Sequence, residues 1–425
     1  MTAFLQFAKE KLSSYKLVLK NTFYLSLIEV VHLLMPFIAL PYIIKTVGAA
    51  NYGKIAFAQA VAMYFWYLVN FGLDIPAAKL VSRNRESGLR LRVIVGAVLI
   101  LKVFTLCVSL ILFSGLVFLW PQARNDLPLF YSAFLICLTD VFFVLYFFQG
   151  LEKMFVITII KGCSMLLYVV LLFIFLHKRE QYWLVPLLQS GSLLLTSFYG
   201  FYYMCKKEKV IPLVPSMVFM RKLFKESFSF FLSRISVILN NSFATLIIGI
   251  VMNDYSVAVY DLAVKISRAA LMPISMLTQA IFPHNARYRD RKFAMRAFAG
   301  LLGAASFGVI VLYFLAPFLV HFLGDGQLPE AVPLLRLLEI QILLCAFTYY
   351  LGSPLLVAWG YPKPFNHSVL IATGCLLLTY GIFYFFSLSS VYWFALAVIL
   401  SELIILIYRA FYCIKYKIIS FNRKR

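Results

Sequence analysis

Residues 35–86 read MPFIALPYIIKTVGAANYGKIAFAQAVAMYFWYLVNFGLDIPAAKLVSRNRE. An apolar run holding Pro36 and Pro41 ends at Lys45, and a second run begins at Gly53. The break between them, Thr46–Tyr52, contains Gly48. The second run ends in Phe71-Gly72-Leu73-Asp74, and Lys79, Arg83 and Arg85 follow. A membrane span needs roughly 20 predominantly apolar residues. The stretch therefore predicts two membrane helices joined by a tight turn, with positive charge fixing one end.

The rest of the chain agrees with its hairpin. Of 425 residues 63% are hydrophobic and only 13% charged, and the mean hydropathy is +0.90. Ordinary soluble domains carry far more charge, and no polar stretch here is long enough to form one. The apolar runs are continuous rather than alternating, which excludes a transmembrane barrel. The expected class is all-α integral membrane, with about 12 spans near 22–44, 54–76, 93–119, 128–148, 154–176, 182–204, 228–251, 257–282, 296–322, 331–356, 366–386 and 391–413. The first twenty residues are basic and amphipathic, without the short apolar core and small-residue cleavage site of a signal peptide. The first span is expected to stay as an anchor.

A net charge of +22 suggests nucleic acid in a soluble protein, but here loop bias explains it. Twenty-eight of the 39 basic residues fall in one set of alternate segments, the last six from Arg409 to Arg425, and five in the opposite set; six lie inside spans. This asymmetry places both termini in the cytoplasm. No nucleic-acid partner is expected. The seven cysteines are isolated, so neither a disulfide framework nor a metal site is indicated.

The basic loop 205–227, with KKEK at 206–209, Pro212 and Pro215, divides the chain into a six-span lobe 1–204 and a second lobe 228–425. A shift of 203 residues lays Asn51-Tyr52 over Asp254-Tyr255 and Ala60-Val61 over Ala263-Val264. Six is even, so both lobes enter from one side, as parallel repeats do.

A charge inside a span is costly and usually faces a cavity or a partner. Asp261, Lys265 and Arg268 are spaced by four and three residues, which places them on one helix face. Arg234, Asn241 and Thr245 form a second stripe, and Glu29, His32 and Pro36 a third. Arg234, Lys265, Arg268 and Lys161 suit phosphate oxygens, with Asn241 beside them as a polar partner. Glu29, Asp74, Asp140 and Asp261 are candidates for charge exchange or cation coupling. Bland readings compete with each. Asp261 with Lys265, and Arg336 with Glu339, are spaced for self-neutralising ion pairs. His32 fits a packed polar residue, and Asp74 an interfacial one. Lys102 and Glu402 lie near enough to span ends to snorkel.

The assembled pattern resembles the Wzx-type lipid-linked oligosaccharide flippases, polysaccharide transporters of the multidrug/oligosaccharidyl-lipid/polysaccharide (MOP) exporter superfamily. The residues that carry the resemblance are Asn21, Pro36, PYIIKTVGAANYGKIAFAQA at 41–60, Phe71-Gly72 and the basic run Lys79–Arg85. FFQGLEKMFVITII at 147–160, ILNNSFATLIIGIVMNDYSVAVYDLAVKI at 238–266 and Gln279–Pro283 continue it. The second-half turn departs from the pattern, with Asp254-Tyr255-Ser256 where a glycine-tyrosine pair is common.

The resemblance implies a bacterial inner-membrane transporter, not an enzyme, with two six-helix lobes around a cationic cavity. Its substrate would be an undecaprenyl-pyrophosphate-linked oligosaccharide repeat unit for O-antigen, capsule or exopolysaccharide. This would move to the periplasmic leaflet by alternating access, coupled to H+ or Na+ and with no bound cofactor. Membrane lipids, the polysaccharide polymerase and the chain-length machinery are its expected partners. His32, Pro36, Gly48 and Gly53 would lie at gates or a lateral portal. Two other readings remain open: an ion-coupled multidrug antiporter of the same superfamily, and a membrane-embedded polymerase or glycosyltransferase. The second of these is disfavoured because the periplasmic loops are short.

Overall fold

The computed structural model describes residues 35–386 and 390–418, with the side chains of 233, 234 and 236–241 left aside. Among the described residues every regular element is helical. They run α1 (Met35–Val47), α2 (Ala49–Asn70), α3 (Asp74–Arg83), α4 (Gly88–Leu119), α5 (Pro121–Arg124), α6 (Leu127–Phe142), α7 (Leu145–Gly150) and α8 (Met154–Phe175). After a short 3-10 turn come α9 (Leu184–Lys206), α10 (Met217–Val251), α11 (Asp254–Tyr288), α12 (Arg291–Leu323) and α13 (Ala331–Tyr350). A π-helix (Leu351–Val357), α14 (Pro362–Phe385) and α15 (Val391–Lys415) are the last of the described elements. Among the described residues nine helical stretches are long and apolar enough to cross a membrane, so this is a multi-span membrane protein. The expected spans fall on helix in the residues described, except that 54–76 is broken at 71–73 and 128–148 at 143–144.

The helices fall into two compact units. One holds the described residues up to Val47 together with Ala58–Ile235, and the other holds Gly48–Phe57 with Ser236–Arg425.

In the first unit, α2 ends in a backbone kink. Phe71 has φ +45° and Gly72 φ +67°. The left-handed region is strained for phenylalanine, and packing compensates it. The Phe71 ring stacks on Phe224 at 4.3 Å and on Phe231 at 4.7 Å. Phe224 belongs to the first turns of α10, so the second half of the 205–227 stretch is helix rather than loop. Arg221, Lys222 and Lys225 lie on its wetter side, while Leu223 and Ser227 are buried. The basic segment is thus an amphipathic helix start, not a linker throughout.

In the second unit, residues 48–57 explain why so early a segment belongs there. The expected seven-residue break shrinks to Gly48, at φ +84°, and α2 begins at Ala49. The Ala49 amide donates to Gln327 Oε1 at 3.0 Å. Gly53 lies directly on the Asp254 carbonyl, Phe57 lies on Gly249, and the Tyr52 hydroxyl reaches α11. Asn253 caps α11 by accepting from the Ser256 amide at 2.8 Å, as short polar side chains do at helix starts. Both hairpins, α1–α2 and α10–α11, therefore turn within one or two residues, at Gly48 and at Met252–Asn253.

Candidate functional site: a polar cavity on α11 and a buried ionic cluster

In the second unit one stripe of α11 runs Tyr260, Val264, Ser267–Arg268, Leu271 and Ser275, at three- and four-residue steps. It lines a cavity of about 320 Å³, closed on the other side by Gln341 and Tyr349 of α13 and Val398 of α15. The lining offers a guanidinium, two hydroxyls, two phenols and an amide. Guanidinium forks match phosphate oxygens, and hydroxyl and amide groups match the alternating donors and acceptors of a sugar.

The stripe expected from sequence splits between two environments. Arg268 lines the cavity. Asp261 and Lys265 instead pair with each other, Nζ to Oδ2 at 2.6 Å, and both bond to the Tyr52 hydroxyl, which donates to Asp261 and accepts from Lys265 at 2.8 Å. Their carboxylate and ammonium already neutralise one another.

The first unit holds a second charged centre. Lys102 is only 1% exposed. Its Nζ reaches Asp140 Oδ2 at 2.8 Å and Asp74 Oδ1 at 3.2 Å, and also donates to the Asp140 carbonyl at 3.0 Å. The Asn70 amide donates to Asp74 at 2.7 Å and to Asp140 at 3.2 Å. Both carboxylates stand at helix breaks. Asp74 is the first residue of α3 after the Phe71–Gly72 kink, and Asp140 sits just before the end of α6. Thr105 of α4 donates to the Val69 carbonyl at 2.8 Å, beside that kink. Discontinuous helices supply polar groups inside membranes in this way.

Snorkelling is therefore wrong for Lys102. α4 begins at Gly88 rather than near residue 93, which carries residue 102 almost to the middle of a helix about 48 Å long. It is wrong for Glu402 too, whose carboxylate accepts from the Thr348 hydroxyl. The Arg336–Glu339 pair does not form among the described residues. The Arg336 guanidinium lies over the Tyr313 ring at 4.4 Å, and Glu339 Oε1 is buried without a hydrogen-bond partner.

Of the other expected site residues, Lys161 is in the first unit with its Nζ 5.9 Å from the Phe143 ring centre. Pro36 lies in the first turn of α1, and Gly48 and Gly53 belong to the second-unit turn just described. Glu29 and His32 lie outside the described residues, as do the side chains of Arg234 and Asn241. Sequence reasoning missed Asn70, Lys102, Gln341 and Tyr349. Asn70 and Asp74 are four apart, a spacing that signals a shared face, but nothing local points to their partner 70 residues away.

Two curated relatives are each named "Putative O-antigen transporter". That of Escherichia coli (strain K12) is 23% identical over 84% of this chain and 88% of its own. That of Shigella dysenteriae is 24% identical over 71% of this chain and 76% of its own. Among solved structures, the inward-facing conformation of a multidrug resistance MATE family transporter of the MOP superfamily superposes with a TM-score of 0.70. It covers 91% of this chain and 96% of that one at 14% identity, a likeness of fold. The chain thus shares the fold of that transporter. Residues 18–289, which hold both hairpins, the ionic cluster and the α11 stripe, match the polysaccharide biosynthesis protein family, and to that family this chain belongs.

Proposed function

We propose that the protein is a transporter that carries undecaprenyl-pyrophosphate-linked oligosaccharide from the cytoplasmic to the periplasmic leaflet of a bacterial inner membrane. The observation that carries this reading is the α11 cavity, where Arg268 stands among hydroxyl, phenol and amide groups. A phosphate joined to a sugar needs that combination. Family membership and the names of the two relatives support it. The charge asymmetry of the loops supports cytoplasmic termini, and assembly of O-antigen or a similar polysaccharide would place a polymerase next in line.

The same reading includes coupling to H+ or Na+. Asp74 and Asp140 together face one ammonium, Lys102. With both carboxylates ionised the cluster carries one uncompensated negative charge in a dry site, which favours uptake of a cation. Occupied and empty clusters then differ in charge, giving the two states of a transport cycle different stabilities.

Arg268→Ala is expected to lower flipping by tenfold or more, because a charge-assisted bond to a phosphate is among the stronger polar contacts. Arg268→Lys should recover part of it, since an ammonium keeps the charge without the fork. The measurement is polysaccharide surface display in cells lacking their own flippase, with variant protein quantified in the membrane. Full activity of Arg268→Ala at normal abundance would overturn the assignment of this cavity.

A further inference from the structure

α15 carries an arginine that loop counting assigns to the basic C-terminal end. Arg409 is instead 4% exposed inside the second unit. Its Nε donates to Ser368 Oγ at 2.9 Å, and Nη1 donates to the Thr348 carbonyl at 2.6 Å. The guanidinium carbon lies 4.5 Å from the Phe365 ring centre. All three partners are neutral. None of the ion pairs formed among the described residues includes Arg409. Glu402, two turns earlier on the same helix, joins the network through the Thr348 hydroxyl, which donates to it, and its carboxylate attracts the guanidinium from beyond ion-pair distance.

The surroundings are built to hold this cation in place. Residues 351–357 widen into a π-helix containing Pro354, and the Asn285 amide donates to the Pro354 carbonyl at 3.0 Å. Such widened turns cluster at functional sites. Gly352 in that turn leaves the room the guanidinium occupies. A Cβ there would stand 2.6 Å from Arg409 Nη1 and 2.9 Å from the Phe365 ring.

Arg409 also opens onto a cavity of about 540 Å³, which shares Ser275 and Tyr349 with the first. Thr278, Gln279, Phe282 and Phe365 line it. A guanidinium has five N–H donors, and hydrogen bonds among the described residues engage two of them. A buried guanidinium that forms no ion pair among the described residues is expensive, and an incoming anion relieves that cost.

We propose that Arg409 is the anion-binding group of this second cavity and takes a carboxylate or phosphoryl group borne by the transported polar head. The Phe282 and Phe365 rings supply faces for a sugar ring, and Ser275, Thr278 and Gln279 supply hydrogen-bond partners. The origin of the anion rests on the flippase reading; the existence of the site does not.

The test is isothermal calorimetry on purified full-length protein in detergent at fixed ionic strength. The probes are inorganic pyrophosphate, a glucuronate-containing disaccharide, and the glucose analogue of that disaccharide. The native protein is expected to bind at least one anionic probe ten times or more tightly than the neutral one, and Arg409→Gln to lose that advantage. Loss for the disaccharide identifies a sugar carboxylate as the ligand, and loss for pyrophosphate a phosphoryl group. Equal binding of all three probes by the native protein, or undiminished anion binding by Arg409→Gln, overturns the proposal. If Arg409→Gln fails to fold, Ser353→Asp decides instead. It sets a carboxylate in the same cavity and should weaken the anionic probe tenfold; unchanged affinity overturns the assignment. The readout is binding, so failure to flip any lipid-linked oligosaccharide would count against the transport reading and leave the site standing.

Discussion

Lys102→Met is expected to be among the most damaging single substitutions in the first unit. The side chain is an ammonium with all three N–H groups engaged by Asp74, Asp140 and the Asp140 carbonyl. Methionine fills nearly the same volume, so the packing loss is small. What remains is two carboxylates, 13% and 3% exposed, with no counter-charge paired to them among the described residues. Removing one partner of a buried pair costs about 3–5 kcal/mol, a large share of the stability of any folded protein. The expected result is a strongly lowered melting temperature in detergent and little folded protein in the membrane. The double variant Lys102→Met/Asp140→Asn should recover part of the loss, since Asn keeps the shape and removes one orphaned charge. A melting temperature for Lys102→Met within about a degree of the native one would show that the cluster is hydrated and weakly coupled. A double variant no better than the single one would show that charge is not what Lys102 supplies.

Gly53→Leu is expected to have a comparable effect in the second unit for a steric reason. A Cβ at position 53 would stand 1.7 Å from the Asp254 carbonyl oxygen and 2.6 Å from its carbon. Both are backbone atoms of the first α11 residue, anchored by the Asn253 cap, so no rotamer change relieves the overlap. Overpacking typically costs about 1–3 kcal/mol; displacing a capped helix start belongs at or above the top of that range. Gly53→Ala meets the same clash and should already lower the melting temperature measurably. Gly88→Ala is the control, because a Cβ there meets nothing and should leave it unchanged. The hairpin glycine is thus a point of close approach, and substitution there is expected to disrupt the second unit as well as any gate.

How far the sequence reaches can be judged from these residues. Continuous apolar runs determined the class, because a backbone in lipid must satisfy its own hydrogen bonds and only helices can do so within one segment. Helix positions followed from the same hydropathy, and the 203-residue offset paired the first hairpin with one around 238–289, whose turn the structure places at Met252–Asn253. The three- and four-residue spacing put Arg268 on a polar stripe of α11, and in the structure that residue lines a cavity. Lys102 and Arg409 were not legible. Hydropathy counts a charge in the same way whether it reaches the interface or a partner, and the partners here are distant in sequence. Lys102 meets Asp74 and Asp140 from separations of 28 and 38 residues, and Arg409 meets Thr348 across 61. Lys265 meets Tyr52 across 213. The local chain determined which segments are helices in a membrane. Only the tertiary structure decided which of their charges are neutralised and which face a cavity, because burial and counter-charge belong to the packed helices together.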